Sequence, residues 1–258
     1  MSIKVLIHGG LGRMGLACVE AVRSEPELVL IGVVDRLPPG GDLGLPLNVK
    51  YYTNVSEALK NDKPQVMIDF SVASAAFLAI ETALENRVHV VSGTTGISEA
   101  DIRELGQKAQ NNQVAFLTAA NFAIGAVLMM HFAQKAAQYL SCAEIIEMHH
   151  DKKKDAPSGT ALVTAAGMLT ARPQGFSRPN DMDLPSRGQD LHGIAIHSLR
   201  LPGYLARQEV HFGATGQTLS ITHNTITRDC YMPGVIMSVK EVGNRVGLVQ
   251  GLDSILNL

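Results

Sequence analysis

Short apolar runs alternate with amphipathic stretches along the first half of the chain. Residues 3–7, 28–34, 65–70, 88–91 and 114–117 are apolar runs of the length and composition of buried parallel strands. Between them, residues 16–23, 55–59, 73–84 and 98–111 carry helical periodicity, with Ser98, Glu99 and Asp101 marking the start of the last. Such alternation predicts a doubly wound parallel sheet. After residue 122 the pattern changes. Residues 126–140 form a long helical run, residues 144–148 a short buried strand, and residues 161–169 a second helix that Ser158 is placed to cap. Beyond Arg172 the period shortens to two: residues 194–200, 208–212 and 218–222 read as strands, separated by Pro202-Gly203 and by the glycines 213 and 216. A last helical run over residues 235–245 points back to the first domain. The Pro- and Gly-rich residues 37–49 read as a loop, and residues 172–193 as a long surface connection or a mobile excursion.

Glycines sharpen this picture. Gly10, Gly12 and Gly15 follow the first strand and open the first helix with Gly-x-Gly-x-x-Gly spacing, and Asp35 stands about 20 residues beyond the last, at the end of the second strand. In that spacing one glycine permits a tight turn, one lets backbone approach a pyrophosphate, and one packs helix on strand. Asp35 is placed to hold ribose hydroxyls and Arg36 to meet a 2′-phosphate, so NADH and NADPH both stay open. Ligands of such sheets lie beyond the carboxyl ends of the strands, which puts Gly93, Thr94 and Thr95 in the same crevice. The fold class expected is therefore α/β: a Rossmann-type doubly wound parallel sheet over residues 1–121, an α+β domain with a mostly antiparallel sheet over 122–230, and a segment 231–258 returning to the first domain.

Chemistry concentrates after the strand over 144–148. His149 and His150 lead into Lys152, Lys153 and Lys154, and Pro157-Ser-Gly-Thr160 then starts a helix. Cationic side chains and unpaired N–H groups at a helix start bind anions, carboxylates and phosphates alike. His131, His197, His211 and His223 show no ligand spacing, so no metal is expected. Arg200 is equally suited to reach a substrate or to form a surface ion pair.

Composition narrows the rest. Length, at 258 residues, allows one large domain or two small ones. A net charge of −2, a pI near 6.5 and the absence of Trp argue against nucleic acid as a partner. No stretch approaches ~18 uninterrupted apolar residues, and the amino terminus runs straight into a strand, so neither a membrane nor export is expected and the protein reads as cytoplasmic. Cys18, Cys142 and Cys230 are far apart without Cys-x-x-Cys spacing, as buried free thiols would be.

Four blocks, in order, resemble the 4-hydroxy-tetrahydrodipicolinate reductase (dihydrodipicolinate reductase) family of lysine synthesis. They are Gly-Gly-Leu-Gly-Arg-Met-Gly at 9–15, Ser-Gly-Thr-Thr-Gly at 92–96, Ala-Ala-Asn-Phe at 119–122, and Glu-Met-His-His-x-x-Lys-x-Asp-Ala-Pro-Ser-Gly-Thr at 147–160. The last is the most specific, and the likeness spans nearly the whole chain. It implies reduction by NADPH and/or NADH of a small cyclic dicarboxylate, 4-hydroxy-tetrahydrodipicolinate, to tetrahydrodipicolinate with loss of water. It implies His149 as proton donor or acceptor, Lys153 as catalytic proton donor, His150 as a substrate contact, and Gly159 and Thr160 on a substrate carboxylate with Ser158 beside them. Gly9, Gly10, Leu11, Gly12, Arg13, Met14, Asp35, Arg36, Gly93, Thr94, Thr95, Ala119, Ala120, Asn121 and Phe122 are implied as cofactor contacts, and the assembly as a homotetramer. The family often carries Glu at the position of Asp35, which leaves cofactor preference open. Another nicotinamide-dependent oxidoreductase of a small anion, or a dinucleotide-sensing module, are the competing readings; a sensor has no use for proton donors beside an anion site.

Overall fold

The computed structural model describes residues 2–36, 45, 49–177 and 184–258, and among those described up to residue 118 it has six strands and four helices. They are β1 (Ile3–His8), α1 (Arg13–Ser24), β2 (Leu28–Val34), β3 (Lys50–Tyr52), α2 (Val55–Asp62), β4 (Val66–Asp69), α3 (Ala73–Glu85), β5 (His89–Ser92), α4 (Glu99–Asn111) and β6 (Ala115–Thr118). Every pairing among these strands is parallel. Their central residues, among them Val5, Leu6, Ile7, Met67, Ile68, Val90, Val91, Phe116 and Leu117, are fully buried. That is why the runs are continuously apolar: helices cover both faces, and each Leu or Ile side chain buried there contributes about 1.5–3 kcal/mol. Leu6, Met67, Val90 and Phe116 form one core with Ile80, Ala83 and Leu84 of α3 and Leu105 and Ala109 of α4. Ser98 caps α4 by accepting the Asp101 N–H at 3.1 Å.

The next elements are α5 (Ile124–Ala137), β7 (Cys142–His149), α6 (Gly159–Ala171), β8 (Gln189–Leu191), β9 (Ile194–Arg200), β10 (Ala206–Ala214) and β11 (Gln217–Thr225). Their sheet runs β11-β10-β7-β9-β8, with β7 and β9 parallel and the other three pairings antiparallel. Alternation along β7 explains its composition: Ala143 and Ile145 pack with Met129 and Ala133 of α5 and Ala161, Ala165 and Met168 of α6. Glu144 and Ile146 face the other way.

The chain then forms α7 (Met232–Val242), β12 (Gly247–Gln250) and α8 (Asp253–Leu256). β12 adds to β6 in parallel, completing the order β12-β6-β5-β4-β1-β2-β3. Two units result, Met1–Ala123 with Tyr231–Leu258, and Ile124–Cys230.

Some elements differ from expectation. β3, β8, β12 and α8 carry three or four residues each, too few to show a period. The predicted loop over 37–49 lies outside the described residues except for Leu45 and Val49, as do residues 178–183 of the predicted 172–193 connection. What is described of that connection contains β8, paired with β9. Of the cysteines, all free, only Cys18 is buried; Cys142 and Cys230 are partly exposed.

Candidate active site

The first unit places its glycines at the carboxyl end of β1. Gly9 takes the turn, with φ +76°, one residue ahead of the Gly-x-Gly-x-x-Gly pattern. Gly15 makes the helix packing: a Cβ there would overlap Gly9 and Gly10. At Gly12 a Cβ would meet only the Gly9 carbonyl oxygen, at 3.3 Å, and Gly12 caps α1 without a side-chain hydrogen bond. The amino end of α1 is thus open to an outside acceptor, which fits a pyrophosphate. Asp35 follows β2, and its carboxylate accepts the N–H of Leu11 and of Arg36, both at 2.7 Å. Tyr51 donates its hydroxyl to the carbonyls of Asp35, at 2.8 Å, and Arg36. The Arg36 side chain is exposed.

Gly93, Thr94 and Thr95 follow β5, and Ala119, Ala120, Asn121 and Phe122 follow β6. A Cβ at Gly93 would strike the Phe70 ring, which meets Phe122 edge to face at 5.7 Å. Asn121 accepts the Ala123 N–H at 2.9 Å through its side chain, fixing the turn out of β6. The loops expected around a dinucleotide therefore all leave the same edge of one sheet, whose order reverses between β1 and β4.

The second unit holds the histidine loop. Glu147, fully buried on the helix-facing side of β7, accepts from His149 Nδ1 at 2.5 Å, from Arg200 Nη1 and Nη2 at 2.9 and 2.7 Å, and from the Ser158 N–H at 3.2 Å. Burial alone would push this carboxyl up; the hydrogen bonds from His149, Arg200 and Ser198 outweigh it and hold the group down at about 2. Because an ionised carboxylate only accepts, His149 carries a hydrogen on Nδ1. Arg200 also donates to the Asp155 carbonyl at 2.7 Å, and Lys153 Nζ donates to both Asp155 oxygens at 2.8 Å. The Lys153 N–H bonds the His150 carbonyl at 3.1 Å, so the turn after β7 is closed on itself. Lys153 and both histidines are partly buried, whereas Lys152 and Lys154 are exposed.

Ser158 caps α6 by accepting the Ala161 N–H at 3.2 Å. Gly159 and Thr160, next in the first turn, have no hydrogen-bond partner for their N–H groups among the described residues. A Cβ on Gly159 would meet nothing within 4 Å. Two free donors at the positive end of a helix, in open space, suit a carboxylate.

Sequence reading missed Glu147 as a functional group and left Arg200 undecided. Arg200 is neither a surface pair nor free: its guanidinium clasps the buried Glu147. The signal available was spacing, since residues 147 and 149 lie on one face of a strand. Among the described residues no three His, Cys, Asp or Glu side chains converge as a metal site would require, and no helix is long and apolar enough to cross a membrane.

Comparison with known proteins places these features in a family. Residues 3–122 match the family model for the amino-terminal part of dihydrodipicolinate reductase, and residues 125–256 the model for its carboxyl-terminal part. The chain is 46% identical over 260 residues to 4-hydroxy-tetrahydrodipicolinate reductase of Dehalococcoides mccartyi, covering 99% of each. It is 42% identical over 262 residues to the Moorella thermoacetica protein of that name, covering 99% of this chain and 98% of the relative. A solved dipicolinate-bound dihydrodipicolinate reductase from a Paenisporosarcina species superposes with a TM-score of 0.90 at 38% identity, over 99% of this chain and 100% of that one. An amine dehydrogenase from Mycobacterium smegmatis, at 13% identity and a TM-score of 0.68, shares the fold over 98% of this chain and 96% of its own.

Proposed function

The chain belongs to the dihydrodipicolinate reductase family, and on that premise we propose that the loop from His149 to Thr160 binds the dicarboxylate and manages its protons. The enzyme is an NAD(P)H-dependent oxidoreductase. It reduces 4-hydroxy-tetrahydrodipicolinate to tetrahydrodipicolinate with loss of water, a step of lysine (diaminopimelate) biosynthesis.

The cofactor, when bound, supplies the hydride. Gly9 to Met14 would hold its pyrophosphate at the open amino end of α1. Asp35 and Arg36 would meet the adenosine ribose, and Gly93 to Thr95 with Ala119 to Phe122 the nicotinamide half. Supporting this are the Gly12 position, where backbone is bare, and the uncapped first turn of α1.

On the substrate side, the N–H groups of Gly159 and Thr160 bind one carboxylate, His150 contacts the substrate, and Lys153 offsets a dianion's charge. Reduction consumes a proton as negative charge develops toward the ring nitrogen. Lys153 donates it or stabilises that charge. His149, its Nδ1–H fixed by Glu147, exchanges protons through Nε2. The observation that carries this reading is the buried Glu147, which orients His149 and ties Ser158 at the helix start through one carboxylate.

The family also implies a homotetramer in the cytoplasm. In support, the face of the second sheet turned away from α5 and α6 bears Ile146 beside paired side chains: Glu144 with Arg187 and His197, and Glu209 with Arg207 and His211. Light scattering of the purified protein tests the assembly. The activity is tested by following NADH and NADPH oxidation with freshly generated 4-hydroxy-tetrahydrodipicolinate; oxidation of neither would defeat the reading.

A further inference from the structure

A second buried carboxylate, in the first unit, takes no part in the chemistry above. Asp69 closes β4 and is fully buried. It accepts hydrogen bonds from His8 Nδ1 at 2.9 Å, Ser71 Oγ at 2.6 Å and Ser92 Oγ at 2.7 Å. Its carbonyl accepts the Gly93 N–H at 2.9 Å.

Each partner stands at the root of a different loop. His8 ends β1 and precedes Gly9, the positive-φ turn. Ser71 follows β4, and its N–H donates to Thr94 Oγ1 at 2.9 Å. Ser92 ends β5, and its Oγ accepts the Thr94 N–H at 3.3 Å. Thr94 is thus gripped by backbone and side chain through two serines that answer to one carboxylate. A carboxylate has no proton to give, so His8 and both serines must donate to it, and the Ser92 lone pairs are left facing Thr94. Burial pushes the Asp69 carboxyl up, but the hydrogen bonds from His8, Ser71 and Ser92 outweigh it and hold the group below the usual carboxylate range. A charge kept inside an apolar sheet costs stability unless it is fully partnered, and here it is.

The geometry points to Asp69 as a positioning residue for the nicotinamide nucleotide, holding the Gly9 turn, Ser71 and the Gly93-Thr94-Thr95 loop in the shape the nucleotide needs. This rests on the first unit being the nucleotide-binding one. A crevice already shaped spends less ordering entropy when its ligand arrives. Asn at position 69 has the same size, but its amide nitrogen accepts nothing. At least one donor then loses its acceptor, and Ser92 is free to turn from Thr94.

The test uses full-length Asp69→Asn, Ser92→Ala and the double variant. NADPH and NADH dissociation constants are read by fluorescence, kcat at saturating nucleotide, and melting temperature alongside. Each single variant should weaken nucleotide binding roughly ten- to a hundredfold, the size of one lost hydrogen bond to a buried charge. At saturating nucleotide kcat should stay within about threefold, since neither residue touches the reacting atoms. The double variant should bind no worse than Asp69→Asn alone, because Ser92 acts through Asp69. Folded variants whose dissociation constants lie within about twofold of wild type would overturn the proposal, as would a fall in kcat matching the loss of affinity. If Asp69→Asn does not fold, Ser92→Ala decides on the same constants. Wild-type protein that binds neither nucleotide would remove the reading of the first unit and this proposal with it.

Discussion

Glu147 and His149 lie two residues apart on one face of β7, and the buried carboxylate of the first takes the Nδ1 hydrogen of the second at 2.5 Å. The same carboxylate neutralises Arg200. Glu147→Gln should therefore do two separable things. Arg200 loses its counter-charge inside the protein, costing about 3–5 kcal/mol of stability. The amide keeps a single accepting oxygen for donors that now share two, so the Nδ1 hydrogen of His149 is held less firmly, and kcat should fall roughly 10²–10⁴-fold. Urea unfolding reads the first, and steady-state kinetics on the folded fraction the second. Full turnover would show that His149 does not depend on Glu147.

The depressed Glu147 carboxyl makes stability depend on pH in a definite direction. Its pKa is about 2 in the folded protein against an ordinary 4.5, so its contribution, roughly 3 kcal/mol, is fully present above about pH 5. As pH falls through 4.5 the unfolded chain takes up the proton first, and the contribution is gone once pH reaches 2. The stability gap between wild type and Glu147→Gln, measured by urea unfolding at pH 6 and pH 3, should shrink on acidification. A constant gap would mean that the carboxyl titrates normally.

Gly159 and Gly15 should respond oppositely to alanine. At Gly159 the added methyl meets nothing, and Ala favours a helix over Gly by about 0.5–1 kcal/mol, so the melting temperature should hold or rise. The methyl nonetheless stands where a carboxylate must approach the two free N–H groups, and the substrate KM should rise by about tenfold or more. At Gly15 the methyl overlaps Gly9 and Gly10, so Gly15→Ala should destabilise the first unit and weaken the nucleotide. Unchanged substrate KM in Gly159→Ala would argue against the helix start as the carboxylate site.

Of the three consecutive lysines only Lys153 is partly buried, at 22% side-chain exposure. Lys153→Ala should lower turnover by roughly 10²-fold or more while nucleotide affinity stays near wild type. Lys152→Ala and Lys154→Ala, which remove solvated charges, should change kcat little. Ordinary activity in Lys153→Ala would sink its assignment as the proton donor.

The parallel sheet was legible because its strands are continuous apolar runs and its glycine loop has a spacing with a mechanical cause. The histidine loop was legible because cationic residues, a cap and a helix start fall within a dozen positions. Glu147 and Asp69 were not, and for one reason. Each falls inside a predicted strand, where sequence alone does not tell which acid is buried and partnered. What makes it a buried anchor comes from far along the chain: Arg200 is 53 residues from Glu147, and His8 is 61 from Asp69. No local period encodes such pairs. The strands β3 and β12 escaped because a short strand beside an established sheet is held by its neighbour's hydrogen bonds more than by its own side chains.

The return of β12 to the side of β6 also sets an order of events during synthesis. Residues 124–230 form their unit from one unbroken stretch, which leaves the ribosome before Tyr231 does. The nucleotide-binding sheet begins at the amino terminus yet waits for the last residues to cover β6 and to lay α7 against α1. The half of the protein translated first is therefore the half completed last, and until then β6 is an unpaired edge exposed to other nascent chains.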